Sequence, residues 1–261
     1  MRVTFLTQDD PLYILPFFQS FFAQDLRSFE ITGIFACRSM GNRKRTTLLR
    51  ELLSLYGISG FVKLVGLQAG HRIAASLRLA SVLGSTHSLQ ELAIEHQVPY
   101  NKIENPNAPS HFEHIAAHRP DIIVSVACPF ILKRPMLELP TTAALNIHHA
   151  PLPRYKGMMP TFWQMYHGER SVGITIHTMA DKLDEGMIVH QESMPVIRGE
   201  SLHNLIRRSK RDGGKAMLKV LSKFAVGDTP SAVQPSGETS YFTFPNSTEI
   251  RTFRQRGFKA I

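Results

Sequence analysis

Asn146-Ile147-His148-His149-Ala150-Pro151-Leu152-Pro153-Arg154-Tyr155-Lys156-Gly157 opens the stretch of sequence that decides how this chain is read. Asp181-Lys182-Leu183-Asp184-Glu185-Gly186 closes it, with Val172-Gly173-Ile174-Thr175-Ile176-His177 between. Apolar, β-branched runs lead into polar loops rich in Pro and Gly, a pattern of strand, loop, strand, loop. Side chains two apart on an extended segment share one face, so a strand ending at His148 points Asn146 and His148 the same way. A strand over residues 174–178 that returns beside the first would deliver Asp184 to the same place.

Those three residue types suit acyl transfer to an amine. The reaction needs a donor for the developing oxyanion, a group that handles the amine proton, and a third that holds the second in its working state. Asn146 offers an uncharged N–H, His148 titrates near neutrality, and Asp184 can orient or charge-balance an imidazole. His177 can line the same pocket or end its strand facing solvent. Taken singly, each of these residues also fits an ordinary turn former or a satisfied polar group.

Order and spacing carry more. Asn-x-His, then Leu-Pro, then Lys156 before Gly157, then Asp-x-Leu-Asp-x-Gly resembles the folate-dependent formyltransferase family. The resemblance reaches over about the first two hundred residues, including Arg119-Pro120-Asp121-Ile122-Ile123-Val124-Ser125. It implies a Rossmann-like, mostly parallel α/β sheet with helices on both faces. It also implies that Asn146, His148 and Asp184 match the catalytic triad and that N10-formyltetrahydrofolate is the formyl donor, with no metal. Val126-Ala127-Cys128-Pro129-Phe130-Ile131-Leu132 is similar to the loop that receives the pterin, and residues from Asp181 to Glu185 to the loop that closes over it. After the His the family commonly has Pro-Ser-Leu-Leu-Pro, whereas this chain has His149-Ala150-Pro151-Leu152-Pro153: a hydroxyl is missing and a second imidazole is present. His149, Lys156, Trp163 and His177 are therefore the candidates for contact with the acceptor. The mechanism expected is attack of an amine on the formyl carbon, with Asn146 and a protonated His148 stabilising the oxyanion and Asp184 holding the imidazole.

The acceptor is expected to be a small-molecule amine, an amino sugar on a nucleotide first, because sugar N-formyltransferases resemble this motif and often carry an aromatic residue like Trp163. Methionyl-tRNA is the second candidate, supported by the basic run over residues 43–50. Against it, the residues after Gly199 fall short of the roughly hundred-residue C-terminal domain of such enzymes. Water in place of the amine would make the same site a hydrolase, and the altered loop after His148 leaves a non-catalytic folate-binding module as a further alternative.

A chain of 261 residues can bury a full core. Its organisation is expected as a catalytic domain over residues 1–199 and a C-terminal helix with a short strand and helix over 200–261. The net charge of +9 gathers in residues 43–50, 207–223 and 251–259, read first as solvated helix faces and second as sites for nucleic acid, anionic lipid or phosphorylated molecules. Cys37 and Cys128 lie far apart, with no metal-ligand spacing and no disulfide framework, which fits a reducing cytoplasm. Asp9 and Asp10 interrupt any signal-peptide apolar region, so export is not expected.

Along the chain, strand and helix alternate, as in a parallel sheet covered on both faces. Residues 3–6 read as a strand, a helix runs from Pro11 towards Arg27, and residues 29–37 form a second strand. Leu6-Thr7-Gln8-Asp9-Asp10 lacks glycine, so neither a dinucleotide fingerprint nor a phosphate cradle follows the first strand, which weighs against a phosphoribosylglycinamide acceptor. Residues 52–83 are dominated by apolar side chains, with Gly57, Gly60, Gly66 and Gly70 recurring and Lys63, Arg72 and Arg78 interrupting. The uncharged run is shorter than the roughly 20 residues a bilayer span takes, so no integral membrane segment is expected. A buried helix pair is the first reading, a homodimer contact the second and a membrane surface the third. Ser88 and Glu91 form a capping box, His111, His114 and His118 lie on one helix face without a ligand cluster, and Ser201 caps a helix weakened by Gly213-Gly214.

Overall fold

The structure, a computed structural model, describes residues 1–38, 44–77, 86–180 and 184–261. The basic turn expected at Gly41-Asn42-Arg43 and the loop residue Asp181 lie outside them.

β1 (Arg2–Gln8) leads through a turn to α1 (Leu15–Phe22), and β2 (Glu30–Cys37) precedes a long α2 (Arg45–Ser76). Then come α3 (Leu89–Glu95), β3 (Tyr100–Ile103), α4 (Pro109–Ala117), β4 (Ile122–Val126), a single-turn α5 (Arg134–Leu137) and β5 (Ala143–His148). β6 (Lys156–Gly157), α6 (Pro160–Tyr166), β7 (Ser171–Thr178) and β8 (Ile188–Pro195) follow, then α7 (Leu202–Ala225), β9 (Tyr241–Phe242) and α8 (Ser247–Gln255). The main sheet has seven strands in the order β3-β2-β1-β4-β5-β7-β8. The first five are parallel, while β7 and β8 are antiparallel additions.

The period of two along each strand sorts the residues into two layers. Val3 and Phe5, Val124 and Val126, Leu145 and Ile147, and Ile174 and Ile176 point into the larger core, under α1 and α7. Leu6, Phe35, Ile123 and Cys37 point the other way, into a smaller cluster completed by Ile115, Leu132 and Met136 of the helices and loop above them. Cys37 and Cys128 meet there with sulfurs 3.7 Å apart, although ninety-one positions separate them. Asn146 and His148 alternate with the larger-core residues Leu145 and Ile147, and so fall on this second face.

Local sequence explains most element ends. The Asp10 carboxylate accepts the N–H groups of Leu12 and Tyr13, so the chain turns there first and α1 is shorter than the helix expected over residues 11–27. Ser88 and Glu91 make the capping box at the start of α3, and Ser201 caps α7. Gly213-Gly214 does not weaken an exposed helix; it lets α7 cross α1, because a Cβ on Gly214 would overlap the Phe17 carbonyl oxygen.

Residues after 199 join the same core. Phe253 of α8 stacks on Phe162 of α6 at 4.7 Å, and β9 pairs in parallel with β6.

The segment read as a buried helix pair is different. α2 breaks at Gly57, whose φ of 68° and ψ of 177° belong to a region that side chains exclude. Arg254 donates to the Ser54 and Leu55 carbonyls left open at the break. Beyond it only Gly60, Leu64 and Ala74 are buried, against a large exposed apolar remainder. The expectation of a buried pair fails here because the face that finds a partner is set by α8, two hundred residues away. By length and composition α2 is also apolar enough to cross a membrane, since its central charges, Lys63 and Arg72, are widely spaced.

Candidate active site

Four backbone segments converge on the second face of the sheet. Ser125 of β4 lies beside Asn146 of β5, and Asn146 lies beside His177 of β7. The return of β7 along β5 is the antiparallel pairing needed to bring Asp184 back. Gly186 makes the turn possible: it presses so closely on Thr178 that a Cβ would overlap the Thr178 carbonyl oxygen, and Asp184 itself holds φ at 55°.

The polar groups fix one another. His177 Nδ1–H donates to the Thr178 carbonyl at 2.8 Å, so Nε2 accepts one N–H of the Asn146 amide at 3.0 Å. The second N–H of that amide remains for the cleft. His148 Nε2–H donates to the Tyr155 carbonyl at 2.8 Å, which leaves the Nδ1 lone pair facing Asp184 Oδ1 at 3.6 Å. Asp184 Oδ2 accepts the Gly157 N–H at 2.9 Å, and His177 Nε2 lies 3.7 Å from Oδ1, beyond hydrogen-bond reach.

Burial lowers the His148 pKa below its ordinary value, only partly offset by Asp184 and the Tyr155 carbonyl. At neutral pH the imidazole is a base, not the protonated group expected from sequence. Burial alone would raise the Asp184 carboxyl, but His177, His148 and the Gly157 N–H together hold it below the usual carboxylate range. The result is a neutral imidazole beside a fixed carboxylate, ready to accept a proton and be stabilised once charged.

The buried His148 stands beside Asp184, and Asn146, His177 and Asp184 open onto a cleft. Phe130, Ile131, Leu132 and Leu137 give it an apolar wall, Met179 and Ala180 another, and Ser125, Asn146, His177 and Asp184 its polar floor. Cys128 lines it too; the Cys37 hydrogen bond lowers its thiol pKa, while Cys37 is pushed up. Apolar walls with a few convergent polar groups are the ordinary form of a small-molecule site.

The other predicted residues divide. Val126 is buried in the larger core with its carbonyl bound by Thr7, and Ala127 makes the turn at φ 51° that aims the following loop at the cleft. Lys156 and Glu185 pair with each other at 3.3 Å and neither lines the cleft. His149 is not in this cleft: its Nδ1 bonds Ser209 of α7 at 2.8 Å and its ring packs on Gly213, one step off the His148 face. Burial and the nearby Lys210 cation keep it well below its ordinary pKa. Trp163 is also turned away, donating to the Thr243 carbonyl at 3.0 Å and stacking on Phe242. Both were expected to touch the acceptor; instead His149 bonds α7 and Trp163 holds β9 to α6.

Sequence reasoning missed the groups that pin the loop after His148. Gln164 donates to the His149 and Pro160 carbonyls and accepts the Gly173 N–H. Thr175 Oγ1 donates to the Ala150 carbonyl at 2.6 Å, and Gln191 bridges Thr175 and the Leu152 carbonyl. Their signal was present only as polar residues inside otherwise apolar elements.

Comparison with known proteins reaches the same region. Over 153 residues the chain is 29% identical to methionyl-tRNA formyltransferase from Trichlorobacter lovleyi, covering 59% of this chain and 48% of that protein. It thus spans about half the length of the curated relatives it matches. Among solved structures, phosphoribosylglycinamide formyltransferase from Anaplasma phagocytophilum superposes with a TM-score of 0.60 at 16% identity, over 94% of this chain and 99% of that one. A sugar 3N-formyl transferase solved in the presence of dTDP and 5-N-formyl-THF gives a TM-score of 0.58 at 12% identity, over 100% and 82%. At these identities the likeness is one of fold. The profile described as Formyl transferase matches residues 85–221, more than half of the chain, from α3 through Asn146, His148 and Asp184 into α7, and the chain belongs to that family.

Proposed function

We propose that the protein transfers a formyl group from N10-formyltetrahydrofolate to the amine of an amino sugar carried on a nucleotide. The observation that carries this reading is a cleft floored by Asn146, His177 and Asp184, with His148 Nδ1 3.6 Å from the Asp184 carboxylate and an apolar wall from the loop after β4. Phe130, Ile131, Leu132, Leu137 and Met179 would hold the pterin ring of the donor. When bound, the donor supplies the electrophilic formyl carbon and a nitrogen leaving group.

The residues have separable parts in the reaction. The free N–H of the Asn146 amide meets the oxygen on which negative charge develops, and His177 keeps that amide from rotating. His148 Nδ1 removes a proton from the attacking amine as the new C–N bond forms, and returns it to the departing nitrogen as the old one breaks. Asp184 stabilises the imidazolium between those events, and the Tyr155 carbonyl prevents the ring from flipping. The sugar acceptor is supported by the likeness in fold to the sugar 3N-formyl transferase.

Methionyl-tRNA is the second reading, favoured by the identity to the Trichlorobacter lovleyi enzyme. One experiment separates them: absorbance-monitored tetrahydrofolate release with amino-sugar nucleotides and methionyl-tRNA offered in parallel. Turnover dependent on the nucleotide sugar is expected. Turnover with the tRNA alone selects the second reading, formate release without any acceptor makes the protein a hydrolase, and absence of folate binding overturns the reading altogether.

A further inference from the structure

The second part of α2 turns an ordered apolar stripe away from the protein. At 100° per residue, Ile58, Val62, Val65, Ala69 and Ile73 fall within one quadrant of the helix, and Leu77 continues beyond its end. Ile58, Val62, Val65, Ile73 and Leu77 are between 49% and 79% exposed, whereas the opposite side is seated on the fold through Gly60, Leu64 and Ala74. Gly60 approaches Ile261 there, and His71 meets the His87 carbonyl at 3.2 Å. An amphipathic helix in a soluble fold turns its apolar stripe inward; this one has apolar residues on both sides, and only one side is covered.

Charge indicates what covers the other. Lys63 and Arg72 are exposed on the two flanks of the stripe, and between Glu51 and Glu91 there is no acidic residue at all. Lys44 and Arg50 are exposed on the preceding part of the helix, where Leu49 and Leu53 continue the apolar surface. An apolar stripe bordered only by cations suits an anionic lipid surface, with the stripe among the acyl chains and the cations among the headgroups. A second copy meets it poorly, because pairing this face with itself brings Lys63 and Arg72 together with no carboxylate on the helix beyond Gly57 to meet them. Full insertion is opposed by the inward side, whose contacts with the C-terminal residues would have to be given up.

We infer that α2 beyond Gly57 is an interfacial helix that docks the protein on an anionic membrane surface. The test is flotation of the full chain with phosphatidylcholine vesicles, with and without roughly a third phosphatidylglycerol. Expected is recovery with the anionic vesicles at least tenfold above that with neutral ones. Val62→Glu combined with Ile73→Glu should abolish it, since both sites are exposed and the circular dichroism should stay unchanged. Lys63→Gln with Arg72→Gln, which leaves the stripe whole, should reduce the anionic preference several-fold. Equal binding to both vesicle types overturns the assignment of an anionic surface. Absence of flotation, or a concentration-dependent dimer in sedimentation that the Glu pair dissociates without vesicle binding, overturns the membrane reading; the dimer would assign the face to a second copy.

Discussion

Replacing Asp184 by Asn tests the chemistry while leaving the shape of the site. The carboxamide can still accept the Gly157 N–H that the carboxylate accepts at 2.9 Å, so the loop keeps its anchor. What disappears is a negative charge 3.6 Å from His148 Nδ1. With an effective dielectric of about 20, that charge stabilises a fully formed imidazolium by about 4 kcal/mol. The expected consequence is a fall in kcat of roughly a thousandfold. The same substitution makes the His148 cation harder to form, so the acid limb of the kcat/KM profile moves to lower pH as the maximum falls. The assay is tetrahydrofolate release with whichever acceptor supports turnover, with tetrahydrofolate binding measured separately to show the cleft intact. A variant that keeps the wild-type kcat, or loses activity only by losing folate affinity, refutes the role given to Asp184.

Gly186→Ala places a methyl group on the Thr178 carbonyl and displaces the Asp184 turn, so kcat/KM should drop by about a hundredfold with little change in thermal stability; unaltered kinetics would show that the turn has room to give. His148, His149 and His203 are buried with folded pKa values below the unfolded value of about 6.5, His203 at about 4. Each binds a proton more readily when unfolded, so stability is full above about pH 6.5 and declines as pH falls below it; urea midpoints that hold level between about pH 7 and pH 5 contradict this. Cys128, partly exposed in the cleft with a lowered thiol pKa, should alkylate before the buried Cys37 and be protected by tetrahydrofolate, as peptide mass mapping would show.

Much of the site was legible because it depends on the period of a strand. Asn146 and His148 are two apart, their neighbours Leu145 and Ile147 are apolar, and an ordinary pleat puts the pair on the face opposite the larger core. The same rule argues against His149, which follows His148 by one residue and turns into α7. Trp163 belongs to an aromatic group with Phe162, Tyr166, Phe242 and Phe253, whose members come from two distant stretches. Position along the chain gives no indication of that meeting. The reversed state of His148 was also hidden: its pKa is governed by burial, and burial is a property of the assembled fold. For α2 the apolar residues were plain, but composition alone does not say which side of a helix is covered.

The two-residue ladder between β6 and β9 ties the C-terminal residues to the turn that carries Asp184. Lys156 and Gly157 pair with Tyr241 and Phe242, and Gly157 is the residue whose N–H holds Asp184. A Cβ at Gly157 would overlap the Phe242 carbonyl, so the two backbones lie in direct contact. A chimera or truncation that discards everything after α7 therefore removes a splint from the Asp184 carboxylate, even though none of the discarded side chains enters the cleft. Grafts that exchange acceptor preference between members of the family should carry this ladder across as a unit and be joined between α7 and β9, where residues 226–240 bridge the two.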